Sequence, residues 1–290
     1  MRDVRFAVRT LLRQPAFALV AVLTLAIGIG ANTAIFSLLY QVFLRPLPYP
    51  EADRLVYVWN TYPRMGLSKA SVSIPDYLDR RTQAASIEDA TLFTGGSLSL
   101  ASEGEPTQLR TLAVTPSFFS TLERSPMLGR AFVEEDATPD ADNFAILTHG
   151  LWTTRFAGDS SIVGRDVRLG GEPFVVVGVL PLDFILPVRD VALLVPFAFT
   201  AQQKSDAGRG NEFSQMIARL RPGATIAQLD ADMRAIVRRN LDRLPERRTR
   251  SLRQKCGARA GARDCGARSP AYRRRAARSW RPVEAARSSG

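Results

Sequence analysis

The sequence predicts an α+β fold, with one N-terminal transmembrane helix followed by a mixed α+β domain. Three observations carry this. Residues 16–40 hold no charged side chain. From residue 55 to about 245, short strand-like runs alternate with short helix-like ones and are punctuated by Gly and Pro. From residue 246 onward the apolar periodicity stops.

Residues 1–15 carry Arg2, Arg5, Arg9 and Arg13 at helical spacing, with Val4, Val8, Leu11 and Leu12 across from them. Two readings stand for this segment. It is a short amphipathic helix resting in the cytoplasmic interface, or a basic flank that only orients the apolar run after it. Pro15 marks its end.

A helix over 16–40 would reach about 37 Å, enough to cross a bilayer. The basic flank places the N-terminus in the cytoplasm and everything after Tyr40 outside. The alternative is a cleaved signal peptide. Against it, the apolar run is too long and has no clear small-residue cleavage site after it. Ala26, Gly30 and Ala34 lie four apart, with Thr33 and Ser37 beside them, as where helices pack closely in lipid. That face predicts neighbouring spans. Residues 41–54 contain Pro46, Pro48 and Pro50, which prevent helix continuation and predict a stiff, extended strut.

The domain is expected over residues 55–245. Leu55 to Trp59 reads as a strand. Ser73 caps a helix with Pro75 in its first turn. Residues 87–93 and 97–101 read as strands around Gly95-Gly96. Glu103-Gly104-Glu105 is a turn, and residues 108–115 return as a strand. Residues 116–122 form a short helix capped by Thr115. Residues 144–148 are a buried strand and 150–156 a short helix. The clearest hairpin runs from Arg165 to Leu169, through Gly170-Gly171, and back over residues 174–180. Residues 191–195 and 212–220 are further strands. Thr225 caps a helix from Ile226 to about Arg243, whose apolar side chains follow helical spacing.

The net charge of +11 on 290 residues is localised. Residues 246–290 hold 14 basic and 3 acidic residues, which account for all of it. The high pI therefore says nothing about the domain. Arg, Ala, Gly and Ser dominate this tail, and no core can form there. It reads as disordered, as an arm for nucleic acid or anionic lipid, or as sequence read out of frame. The topology, which puts the tail outside the cytoplasm, argues against nucleic acid as a partner. The abrupt composition change after a well-formed helix favours the out-of-frame reading.

Chemistry is sparse. His149 is the only histidine, and Cys256 and Cys265 lie in the tail, so a multi-His metal site is excluded. No P-loop and no G-x-S-x-G elbow is present. Asp76 with Asp79, and Glu134-Glu135-Asp136, are carboxylate groups that read as solvated surface charge. His149 precedes a short helix containing Trp152 and reads as a structural or capping residue. Phe118-Phe119 and Phe197 with Phe199 read as core. No catalytic, cofactor-binding or metal-ligating residue is assigned, no cofactor is expected, and the chain is read as a non-enzyme.

Several stretches resemble a known family. Arg2 to Arg13, Pro15-Ala16-Phe17, Ala21 to Ser37 and Leu44-Arg45-Pro46-Leu47-Pro48-Tyr49-Pro50 resemble the start of MacB-like/FtsX-like ABC transporter permeases, and above all the acidobacterial-type orphan permease group. Val114 to Phe119, Val177 to Phe184 and Ala218 to Gly223 resemble the family's periplasmic core domain. The resemblance covers about residues 1–245. It implies a periplasmic domain with a porter-like part and a smaller inserted part, in the bacterial inner membrane. It also implies a separate ABC ATPase as partner, with further permease spans or a second permease copy. The family carries three more spans after the domain, so this chain is expected to be a truncated or frameshifted permease. The competing reading is a single-pass, membrane-anchored extracytoplasmic binding or sensor domain.

Overall fold

The computed structural model describes residues 15–39, 49–62, 65–100, 107–139, 141 and 143–243. The chain divides into two units, Met1–Pro46 and Leu47–Gly290, each described by itself. The amphipathic segment 1–14, the proline-rich residues 41–48, the Glu103–Glu105 turn and the basic tail lie outside the described residues.

In the first unit, helix α1 spans Pro15–Leu39. Leu19, Val22, Leu25, Ile27, Ile29 and Phe36 are among its exposed side chains. Its polar groups turn back on the helix. Thr24 Oγ1 donates to the Val20 carbonyl at 2.8 Å, and Asn32 Nδ2 to the Gly28 carbonyl at 3.0 Å. Among the described residues no helix is long and apolar enough to cross a membrane.

The second unit is built on one mixed sheet of β1 (Leu55–Val58), β4 (Ile87–Leu100), β5 (Thr107–Val114), β6 (Leu128–Gly129), β7 (Phe144–Leu147), β8 (Asp166–Leu169), β9 (Glu172–Val179), β10 (Leu193–Pro196) and β11 (Gln215–Leu220). Its order is β1-β11-β4-β5-β10-β7-β9-β6, and β8 pairs with both β4 and β9. The strands β4-β5-β10-β7-β9-β8 therefore form a ring. Its last seam is a single residue pair, Leu100 with Leu169. The β5–β10 and β7–β9 pairs are parallel. A separate hairpin joins β2 (Asn60–Tyr62) to β3 (Leu67–Ala70).

Helices cover the sheet: α2 (Ile74–Gln83), α3 (Phe118–Leu122), α4 (His149–Phe156), α5 (Ala201–Lys204) and α6 (Ile226–Arg243). The predicted caps on α2 and α6 form. Ser73 Oγ accepts from the Asp76 N–H at 3.4 Å. Thr225 and Gln228 exchange side-chain and backbone bonds in a capping box. Thr148 caps α4, so the helix begins at His149. Thr115 does not cap α3. Ser117 holds that position without a side-chain cap bond, and the Thr115 carbonyl instead accepts from the Phe118 N–H at 2.9 Å.

Alternation on the strands divides the apolar residues between two faces. Val56 and Val58 of β1, with Met216 and Ala218 of β11, pack beneath Tyr77, Leu229, Met233 and Ile236 of the helices. Leu55, Tyr57 and Ile217 point the other way, toward Phe93, Phe118, Phe119 and Leu180. A third cluster joins Leu100, Leu109, Leu147, Leu169, Val176 and Leu193 within the ring strands. The Gly95-Gly96 pair does not break the chain into two strands as expected. It lies inside β4, just past the point where β4 leaves β11 at Phe93 and continues along β5 alone.

Candidate functional site

Asp76 and Asp79 lie three apart on α2, so helix geometry puts both on one side. The residue they meet is a cation. Arg209, in the short 3₁₀ helix Asp206–Gly210, is 6% exposed and reaches three carboxylates. Its Nη1 lies 2.7 Å from Asp76, its Nη2 2.6 Å from Asp79, and its Nε 2.8 Å from Asp206. Burial opposes the charge on Arg209, but the three aspartates outweigh it and hold its pKa above the ordinary arginine value.

The cluster extends to α6. Asn240 Nδ2 donates to Asp79 at 2.9 Å, and Arg243 Nη2 to Asp206 at 3.1 Å. On the other side, Arg80 of α2 donates to the Asn60 side chain on β2. Tyr62 donates to Glu212. Burial first, then the Glu212 carboxylate, push the Tyr62 phenol well above its usual pKa. One polar network thus ties the β2–β3 hairpin, α2, residues 206–212 and the end of α6. Arg209 is fully ion-paired within it, whereas the buried Arg80 Nη1 has no hydrogen-bond partner among the described residues.

The other predicted groups separate. Asp136 is buried and accepts from Arg130 at 2.6 and 3.0 Å and from the Val133 N–H at 2.9 Å. Glu134 reaches only Arg81, at 3.7 Å, while Glu135 is exposed. His149 opens α4 with its ring edge against Trp152, centroids 5.5 Å apart. Phe118 and Phe119 pack with Phe132 and Phe184 in the core. Phe197 and Phe199 meet edge to face at 4.8 Å beside Tyr77. Among the described residues no group of three or more His, Cys, Asp or Glu is placed to hold a metal. Cys256 and Cys265 lie outside the described residues.

Sequence reasoning missed Arg209 and Arg219. Nothing local marks Arg209, because its partners on α2 are 130 or more positions away. Arg219 has a signal that could have been read: a lone basic residue inside the apolar run of β11, between Ala218 and Leu220. It is 1% exposed. Its Nε donates to the Thr121 carbonyl at 2.8 Å and its Nη1 to the Pro50 carbonyl at 3.2 Å. Glu123 Oε1 lies 3.4 Å from Nε. Burial pulls the Arg219 pKa below the ordinary value, and Glu123 only partly opposes that.

The chain matches the family model for the MacB-like periplasmic core domain over residues 18–236. No curated protein sequence is detectably similar to it. Among solved structures, it is similar to a domain of a protein described as a permease from Porphyromonas gingivalis. The identity is 21%, the TM-score 0.51, and 66% of this chain and 86% of that one are covered. The periplasmic region of MacB from Actinobacillus actinomycetemcomitans aligns at 14% identity and TM-score 0.45, covering 65% and 82% of the two chains. The extracellular domain of the ABC-type transporter YknZ from Gram-positive bacteria aligns at 16% and 0.47, covering 64% and 94%.

Proposed function

The chain belongs to the MacB-like periplasmic core domain family, and from that membership we propose that it is the membrane permease component of an ABC transporter. In this reading α1 spans the inner membrane with the N-terminus in the cytoplasm. The second unit lies outside the membrane. A separate ATPase subunit hydrolyses ATP in the cytoplasm, and the spans pass the resulting motion to the external domain for export or mechanotransmission. The chain itself performs no bond chemistry.

The observation that carries the proposal is the extent of the family match. It begins inside α1 and ends inside α6, so the apolar helix and the α+β body together form the matching unit. The 25-residue, charge-free sequence of α1 supports a span with slight tilt. The buried ion-pair cluster around Arg209, which ties α2 to the segment before β11, supports a transmitting body in place of a reaction centre.

The test is affinity isolation of the full chain from bacterial membranes after mild cross-linking. An ABC ATPase is expected in the isolate, and residues beyond 49 are expected to be protease-accessible only from outside. A full chain that fractionates away from membranes, or that never captures an ATPase, would overturn the proposal.

A further inference from the structure

The first described segment of the second unit, residues 49–54, is held to the body at several points. The Tyr49 hydroxyl donates to the Ile185 carbonyl, and its ring meets Phe184 edge-on at 6.1 Å. Arg54 Nε donates to the Leu220 carbonyl at 2.8 Å and its guanidinium pairs with Glu51 and Glu88. Between these, the Pro50 carbonyl is held by Arg219.

Arg219 is a costly way to fill a core position. It is the largest of the fully buried side chains, and its Nη2 has no hydrogen-bond partner among the described residues. A buried donor left without a partner keeps its desolvation cost uncompensated. Replacing a whole buried ion pair by apolar side chains of similar volume is often neutral or stabilising. What an apolar side chain cannot do is hold two carbonyls from different segments at once. Arg219 holds those of Pro50 and Thr121. The β11–β4 register also shifts between Arg219 and Leu220, a bulge of the kind that re-aims side chains.

We propose that Arg219 is the positioning residue of a rigid joint, which fixes the Pro50 carbonyl to β11 so that displacement of the chain ahead of Pro50 is delivered to the sheet. The joint rests on the reading of the chain as a permease for its use, but its mechanics are measurable without an ATPase. Residues 49–54 move with β1 and β11 as one body. Without the guanidinium the Pro50 carbonyl is released from β11, while Tyr49 and Arg54 keep their own contacts.

The experiment compares the full chain with Arg219→Met and Arg219→Lys in lipid nanodiscs. Hydrogen exchange is read at residues 51–56 and, as a control, in β5 and β10. The expected result is a loss of protection of about tenfold or more at 51–56 in both variants, with the control strands unchanged. Unchanged protection at 51–56 would overturn the joint. So would loss of protection spread equally over β5 and β10, because Arg219 would then be a general core residue. Failure to capture an ATPase leaves these readouts intact, so the two proposals fail separately.

Discussion

Arg209 Nη1 and Asp76 Oδ1 lie 2.7 Å apart, although 133 residues separate them in the chain. Asp79 and Asp206 complete the same guanidinium's contacts. A single buried cation thus neutralises part of a triple-acid cluster and joins α2 to the segment before β11.

Removing that cation leaves three carboxylates facing one another. Arg209→Met is expected to destabilise the second unit by about 3–5 kcal/mol, since breaking one side of a buried ion pair strands the other. Combining it with Asp79→Asn should recover part of the loss, because one stranded charge disappears while Asn240 keeps an acceptor. Urea unfolding of both variants measures this. Strictly additive losses would refute the coupling.

Acid should release one loop tether, and only at low pH. Asp183 is held below the usual aspartate value by its hydrogen bond from Arg124, at 2.7 Å. A depressed carboxylate contributes its stabilisation fully above its unfolded pKa, near 3.9, and loses it as pH falls through the lower folded value. The tether between residues 124 and 183 is therefore expected to persist at pH 5 and to fail progressively below about pH 4. Carboxyl NMR titration checks this. Arg124→Ala should return Asp183 toward its ordinary value.

The two adjacent glycines of β4 should respond oppositely to alanine. A Cβ on Gly95 meets nothing within 4 Å, and a Cβ on Gly96 meets Thr111 Oγ1 at 3.0 Å. Neither has a positive φ. Gly95→Ala is expected to stabilise by roughly 0.5–1 kcal/mol, from lost freedom in the unfolded chain. Gly96→Ala should gain nothing, because Thr111 must give way. Thermal melts of the two variants separate the cases.

The tail makes a prediction at the DNA level. Its arginine, alanine, glycine and serine are what GC-rich codons yield out of frame. Resequencing codons 240–290 and reading on in all three frames is expected to find apolar runs of about 20 residues in another frame. A clean frame without such runs would make the tail genuine and favour an anchored binding domain.

Much of the second unit was legible from local signals. Ser73 and Thr225 announced their helices because a cap is a contact between near neighbours. Gly170-Gly171 announced the β8–β9 hairpin because both take the positive φ that such a turn requires. The β2–β3 hairpin was not legible. Residues 67–70, Leu-Ser-Lys-Ala, are largely exposed and carry no alternation to read. Alternation also misled at β11. The alternation in 212–220 gave no sign that the strand is covered on both sides, so nothing in it marked Arg219 as buried. The ion cluster around Arg209 depends on tertiary proximity alone. The resemblance in the sequence motifs agrees with the family match, and the sites came only from the fold.

Strand β4 contributes to all three apolar clusters: Ala90 and Leu92 to the first, Phe93 to the second, Leu100 to the third. It has no break along its 14 residues. Fully extended, such a strand measures about 46 Å. It acts as a lever. A tilt of about 5° imposed at Ile87 carries the far end roughly 4 Å if the strand stays stiff over that length. Leu100 is also the residue whose single pairing with Leu169 closes the ring. A small rotation at the α2 end of a stiff β4 would thus arrive, amplified, at the thinnest seam of the sheet.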